Sequence, residues 1–138
     1  MMTYVKKYNI LSLLTACLVL SACSQESQMQ RFERETRDYT RKNCPQRIND
    51  YEVLDSMVFH DDGTLDLTYY YSVVTQEGVI QKIQENKNTL REHLLESIRN
   101  SADMRHIRDT HLNVNYRYND SETHEEILHL RFTPQDYE

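Results

Sequence analysis

The feature that most constrains the fold is a strand pattern in which every second residue is apolar. The alternating positions within residues 64–74 are Leu65, Leu67, Tyr69, Tyr71 and Val73. Side chains spaced by two lie on one face of a β-strand, so the intervening residues, such as Tyr70, belong to the opposite face. Such clean alternation is typical of a sheet with one face against a core and the other in water.

This strand belongs to a first helix–strand–strand pattern. Apolar residues spaced by three and four predict a helix from about Glu26 to Lys42, which Pro45 ends. Tyr51 to His60 and Thr64 to Val74 then predict a β-hairpin. Its turn is Asp61, Asp62 and Gly63. Adjacent apolar pairs in the first strand indicate either a bulge or partial cover on both faces.

A second pattern follows. Thr89 and Glu92 fit a capping box, which favours a helix start near Thr89, although apolar residues upstream leave a start near Val79 open. The next predicted hairpin joins residues 112–118 to residues 126–132. The tail after Pro134 is expected to be irregular.

Together these patterns predict one α+β domain over residues 28–138. We expect a four-stranded antiparallel sheet made of two hairpins, with helices packed on one face in the order α-β-β-α-β-β. The order of the strands within the sheet stays open, because alternation does not specify which strands are neighbours.

The first 22 residues have the organisation of an export signal. A short basic region contains Lys6 and Lys7, and Ile10 to Leu20 is a run of eleven uncharged residues. As a helix this run is about 16 Å long, roughly half of a bilayer core of about 30 Å. The segment is therefore too short to be read as a transmembrane helix.

The residues that follow, Leu20, Ser21, Ala22 and Cys23, resemble the lipobox of bacterial lipoproteins. The resemblance implies removal of residues 1–22 as a signal peptide and attachment of diacylglycerol to the thiol of Cys23. Residues 23–27 would then be the lipidated N-terminus and a short tether. Two or three acyl chains hold a protein stably on a membrane. Ser24, where many inner-membrane lipoproteins have Asp, favours a periplasm-facing position on the outer membrane over one on the inner membrane.

Without the signal, the chain has 14 Lys and Arg against 22 Asp and Glu, a net charge near −8. This excess works against binding to nucleic acid, and it suits either a cationic partner or ordinary solubility. Cys44 is then the one unmodified thiol. It is interpreted as a small buried residue, with a reactive thiol or a bond to another chain as alternatives.

The sequence contains no motif for catalysis or for a cofactor. Six histidines lack metal-ligand spacing and no cysteine pair accompanies them, so neither a metal site nor a cofactor is predicted. No GxSxG motif is present, and only Gly63 and Gly78 follow the signal. We therefore expect a protein that is not an enzyme.

Tyrosine is the most suggestive residue type. Tyr69, Tyr71, Tyr116 and Tyr118 are predicted to line the core. Tyr70 lies on the opposite face and, with Arg117 and Arg131 beside it, is the candidate partner-binding group, because tyrosine suits protein interfaces.

These observations predict a non-enzymatic envelope lipoprotein that is held on the membrane through Cys23 and binds or scaffolds another envelope protein. An alternative is an acidic periplasmic inhibitor or immunity protein for a basic enzyme or toxin. A third possibility, an enzyme or a carrier of a small ligand, stays open.

The anchor is testable with one substitution. Replacement of Cys23 (Cys23→Ser) removes the thiol that would be acylated, so we expect the protein to leave the membrane fraction or to stay unprocessed. Fractionation of cells and mass spectrometry of the mature N-terminus measure this. Cys44→Ser is the matched control and should leave membrane attachment unchanged. Unaltered attachment of Cys23→Ser would contradict the lipid anchor.

Overall fold

The structure, a computed structural model, describes residues 26–60 and 62–138. Cys23 and the signal segment lie outside this range, as does Asp61 of the predicted turn. The helices are α1 (Gln28–Asn43), α2 (Glu77–Glu85), α3 (Lys87–Asn100), α4 (Arg105–Asp109) and α5 (Pro134–Tyr137). The strands are β1 (Gln46–Arg47), β2 (Glu52–His60), β3 (Asp66–Val73), β4 (Asn113–Asp120) and β5 (Glu126–Phe132).

The five strands form one mixed sheet in the order β1-β2-β3-β4-β5. The α+β class and both hairpins are confirmed, because β2 pairs with β3 and β4 with β5 in antiparallel fashion. The predicted four-stranded, wholly antiparallel sheet is wrong, because β3 and β4 are parallel. Parallel neighbours need a crossover connection, and the chain from α2 to α4 provides it.

The fifth strand, β1, was missed because it contains only two residues and directly follows Pro45. It pairs with Val53 and Leu54 at the start of β2. The predicted irregularity of β2 is confirmed, since its register with β3 shifts between Leu54 and Ser56.

Two helix predictions need correction. The second helical region begins at Glu77, which agrees with the alternative start near Val79 and not with the favoured start near Thr89. Thr89 lies inside α3 and has no capping role. The upstream apolar residues are helical because they also pack against the core. The tail is not irregular, because Thr133 and Asp136 form a capping box that starts α5. The buried Tyr137 hydroxyl then donates a 2.7 Å hydrogen bond to the Leu112 carbonyl.

The helices lie over the sheet face that carries the alternating tyrosines. Phe32 of α1 meets Phe59 of β2 edge to face at 4.8 Å, and the guanidinium of Arg91 in α3 sits 4.6 Å above the ring of Phe132. The predicted tyrosine core is confirmed: three of the four rings are buried and Tyr71 is half-buried. The rings stack across β3 and β4, at 5.0 Å for Tyr69 and Tyr116 and 4.9 Å for Tyr71 and Tyr118.

Cys44 behaves as a small core residue. It is half-buried and packs against the core cluster. Burial, with a smaller effect from the charge of Asp55, raises the pKa of its thiol. A raised thiol pKa lowers the fraction of reactive thiolate, so the structure favours the packing role over the reactive one.

The edge of β2 beyond β1 is closed by a helix side chain. The Thr40 hydroxyl of α1 accepts a 2.9 Å hydrogen bond from the Met57 N–H and donates one of 2.9 Å to the Met57 carbonyl. A single threonine therefore makes the two backbone contacts that a neighbouring strand would make, and it protects a part-buried strand edge.

Thr40→Val keeps the shape of this side chain and removes its oxygen. We expect the free energy of unfolding to fall by about 1–3 kcal/mol, because the Met57 N–H and carbonyl lose their partner in a part-buried place. Urea denaturation measures the change. Thr89→Val, on the exposed surface of α3, is the matched control and should change stability far less. Equal effects of the two substitutions would contradict the edge-closing role.

Candidate functional site: an apolar cleft between α2 and the sheet

A cleft of about 550 Å³ opens between α2 and the end of the sheet where β2 begins and β3 ends. This volume is in the range of ligand-binding pockets. We call it the cleft and define it by its lining, which is Asn49, Tyr51, Glu52, Val73, Gln76, Gly78, Val79, Lys82, Ile83, Asn86, Leu90 and Tyr118.

The walls of the cleft are mainly apolar. Val79 and Ile83 contribute from α2, Leu90 from α3, and Val73 and Tyr118 from the sheet. α2 is amphipathic, so one of its faces is apolar. The structure describes all nine residues of this helix, and none of them is buried. An apolar helix face normally stabilises a fold by packing against the core. Here that face is only partly covered, and the uncovered part borders the cleft.

The loop before β2 fixes the opposite wall by hydrogen bonds from one asparagine. The Asn49 side-chain oxygen accepts from the Tyr51 N–H at 2.8 Å, while its amide nitrogen donates to Glu52 Oε2 at 3.1 Å. The Ile48 N–H donates to the Glu52 carbonyl at 2.9 Å. The positions of Tyr51 and Glu52 are therefore set by the loop itself.

Glu52 is the one acidic residue of the cleft, and it is half-buried. Desolvation raises the pKa of its carboxyl group, and the hydrogen bond from Asn49 opposes this only in part. Burial raises the pKa of the Tyr118 hydroxyl, and the nearby charge of Glu52 adds to that shift. Lys82 lies on the opposite wall and is exposed.

Exposed apolar side chains extend the cleft outwards. Ile48, Tyr51 and Val74, which we call the rim, are 48%, 52% and 42% exposed. They are close in space, because the Val74 N–H donates to the Tyr51 carbonyl at 2.9 Å and Ile48 is hydrogen-bonded to the backbone of Glu52. Exposed apolar surface next to an apolar cleft is typical of an interaction site.

The sequence-predicted partner-binding residues lie elsewhere, on the sheet face that carries no helix. We call this the open face and define it by Thr68, Tyr70, Asn115, Arg117 and Arg131. The structure brings Tyr70 and Arg117 together, because they are paired in register across β3 and β4. Tyr70 is half-buried there.

Both arginines of the open face already have acidic partners. Arg131 makes two 3.0 Å hydrogen bonds to the carboxylate of Asp66, and Arg117 pairs with Glu126 at 2.6 Å. Arg131 is therefore directed towards Asp66 rather than grouped with Tyr70. A partner-binding role for the three residues stays a prediction.

Sequence reasoning missed the cleft because its walls come from separate parts of the chain. The available signals were the apolar Val79 and Ile83 upstream of Thr89. A helix that begins at Glu77 places them over the sheet, whereas the predicted later start left them in an irregular stretch. Nothing in the local sequence joins them to Glu52 or Tyr118.

Neither a metal site nor a membrane-spanning helix is found in the part of the chain that is described. Within residues 26–60 and 62–138, no group of three or more His, Cys, Asp and Glu side chains is placed to hold a metal ion. Among the same residues, no helix combines the length and the apolar character needed to cross a bilayer.

The fold and the cleft define a small α+β domain with helices on one face of a mixed sheet and a partly covered apolar helix beside a ligand-sized opening. The chain belongs to the family described as domain of unknown function DUF8479, which matches residues 27–129. No curated protein matches the sequence.

Two solved structures share the fold. A Pseudomonas aeruginosa protein, provisionally described as secreted, aligns with a TM-score of 0.64 and 14% identity over 83% of this chain and 100% of its own. EpsS, the pilotin of the Vibrio vulnificus type 2 secretion system, aligns with a TM-score of 0.55 and 10% identity over 82% of this chain and 94% of its own. At these identities the likeness shows the fold alone.

The environment of Glu52 predicts a gain of stability when its charge is removed. A carboxyl group whose folded-state pKa lies above the ordinary 4.5 is destabilising when ionised, and the penalty disappears as the pH falls through that pKa. We therefore expect Glu52→Gln to unfold at a higher urea concentration than the wild type at pH 7. The difference should shrink as the pH falls from the folded-state pKa towards about 4.5, and it should vanish below that pH, where the carboxyl group is protonated in both the folded and the unfolded wild type.

Glu92→Gln, on the exposed surface of α3, controls for the general effect of removing one negative charge. Its gain should be smaller than that of Glu52→Gln. A lower urea midpoint for Glu52→Gln at pH 7 would mean that the carboxylate stabilises the fold, contrary to this prediction.

Proposed function

We propose that this protein is a non-enzymatic envelope lipoprotein, anchored by lipid on Cys23, whose domain binds a segment of another envelope protein in the cleft. The observation that carries the proposal is the apolar face of α2, which remains incompletely covered beside the cleft. Burial of apolar surface contributes about 25 cal/mol per Å², so a partner that covers this face gains binding free energy directly.

The location is supported by two independent features. Leu20 to Cys23 has the sequence of a lipobox, and Ser24 favours the outer membrane. The two structures of the same fold are described in terms of secretion, one as a secreted protein and one as a pilotin of a secretion system. A pilotin is also consistent with a partner that is another envelope protein.

A protein segment suits the site better than a small molecule does. A small ligand confined to the cleft would leave much of the rim exposed, since Ile48 and Val74 continue the apolar surface of Tyr51 outside the cleft. A polypeptide that enters the cleft and lies across the rim covers both. Tyrosine at such an edge adds contact area at small entropic cost.

The start of α1 and the cleft are at opposite ends of the domain. Phe32 near the start of α1 contacts Phe59 and His106, whereas the cleft adjoins Glu52 at the other end of β2. Seven residue steps along β2 span about 23 Å, and the three steps from Cys23 to Glu26 reach about 10 Å. The tether alone would therefore not bring Cys23 to the cleft, so the cleft end of the domain would lie on the side away from the membrane.

A second candidate is the acidic inhibitor or immunity protein. The net charge near −8 after the signal favours it, because an acidic surface attracts a basic enzyme or toxin. The two candidates differ in the partner and in the contact surface, so one crosslinking experiment addresses both.

A photo-crosslinking amino acid in place of Tyr51 or of Tyr70, in cells of the native host, tests which surface binds. We expect a discrete adduct with an envelope protein from the rim position and none from the open face. Mass spectrometry identifies the captured protein. An adduct from Tyr70 alone would move the site to the open face, and a basic toxin or enzyme as the captured protein would favour the second candidate.

Ile83→Arg in the same experiment introduces a charge into the apolar wall. Because burial of an unpaired charge is strongly unfavourable, the yield of the Tyr51 adduct should fall by roughly tenfold or more. Gln84→Arg adds the same charge one residue later on the exposed side of α2 and should leave the yield nearly unchanged. Similar yields from both variants would contradict binding in the cleft.

A further inference from the structure

We propose that the partner segment carries a basic side chain among its apolar residues, and that this side chain pairs with Glu52 inside the cleft. The inference rests on the proposed function and adds to it the chemistry of the occupant. Four observations lead to it: the incomplete pairing of Glu52, the engagement of the nearby cations, the aromatic lining, and the acidic charge of the domain.

Glu52 has hydrogen-bonding capacity that no described protein group fills. An ionised carboxylate has room for about four hydrogen bonds, yet among the described residues Glu52 receives one side-chain bond, at 3.1 Å from the neutral amide of Asn49. No cation lies within salt-bridge distance of it in residues 26–60 and 62–138. A half-buried carboxylate without a cation beside it is a favourable place for a positively charged donor from a partner.

The cations nearest in the chain are engaged elsewhere or stay in water. Arg47 pairs with Asp50 at 3.0 Å, and its Nε donates to the Asn49 carbonyl. Lys82 lines the wall opposite Glu52 but is exposed, so water solvates its ammonium group. The cleft therefore keeps a shielded negative charge on the β2 side and a solvated positive charge on the α2 side.

This arrangement predicts which wall of the cleft the basic side chain of the partner segment contacts. Repulsion from Lys82 disfavours a cation near α2, whereas the carboxylate of Glu52 attracts one to the wall formed by β2. The exposed ring of Tyr51 lines the same cleft and adds attraction, since aromatic faces favour cations. A net charge near −8 also speeds encounter with a basic segment.

The experiment uses the mature, lipidated protein in detergent micelles and a phage-displayed library of random peptides. Library members that bind wild type but not Ile83→Arg are cleft binders. We expect these peptides to share one Lys or Arg among apolar residues. Fluorescence anisotropy with synthetic peptides then measures affinity for wild type, Glu52→Gln and Glu52→Lys.

A charge exchange makes the assignment specific. Glu52→Gln should weaken binding of a selected peptide by roughly tenfold, and a peptide with Glu in place of its basic residue should bind Glu52→Lys more tightly than it binds wild type. Glu92→Lys, on the exposed surface of α3, is the charge control and should bind the selected peptide nearly as wild type does. Circular dichroism verifies that each variant is folded. If Glu52→Lys does not fold, Glu52→Gln still tests the pairing, because glutamine can keep the hydrogen bond with Asn49.

The outcomes separate the two proposals. If peptides bind the cleft but Glu52→Gln binds them as wild type does, the pairing with Glu52 is overturned while the proposed function stands. Selected peptides that carry an acidic residue and respond to Lys82→Glu instead would also overturn the pairing. If no peptide in the library binds the wild type and fails to bind Ile83→Arg, both proposals are overturned.

Discussion

β3 and β4 run side by side in the same direction at the centre of the sheet, so the chain between them must return from one end of the sheet to the other. That return is made by α2, α3 and α4, and it places them on the face that carries Tyr69 and Tyr116. The parallel pairing therefore has two consequences. The tyrosines stack across this pair of strands, and every helix of the crossover lies on one face of the sheet.

The crossover leaves one part of the core incomplete. α3 buries Ile98 fully, whereas α2 approaches the sheet near Tyr118 without burying any of its own residues. Beside it, Glu52 places a carboxylate where desolvation disfavours the charge. A fold optimised for stability alone would fill this opening with apolar side chains. Proteins often have lower local stability at surfaces that bind a partner, because the residues that favour binding are not those that would stabilise the fold most.

The proposed anchor at Cys23 and a cleft at the far end of the domain together fit a protein that is held on a membrane and faces the periplasm. Under the proposed lipid anchor, the short tether would hold the domain close to the bilayer, and the length of β2 would place the cleft farther from it. The open face differs from the cleft because its charges are satisfied internally, as in the pairing of Arg131 with Asp66. Of the two surfaces, only the cleft presents a shielded charge that lacks a charged partner among the described residues.

The sequence by itself determined the local elements and the face that each presents. Alternation placed Tyr69 and Tyr116 in the core, and the Asp62 and Gly63 turn marked the first hairpin, because side-chain periodicity is a local property. Only the tertiary structure decided the parallel pairing, the two-residue strand at Gln46, and the meeting of Glu52 with Ile83 and Tyr118. Periodicity states which side chains share a face, but it does not state which strand lies beside which. A cleft built from distant segments exists only once that choice is made.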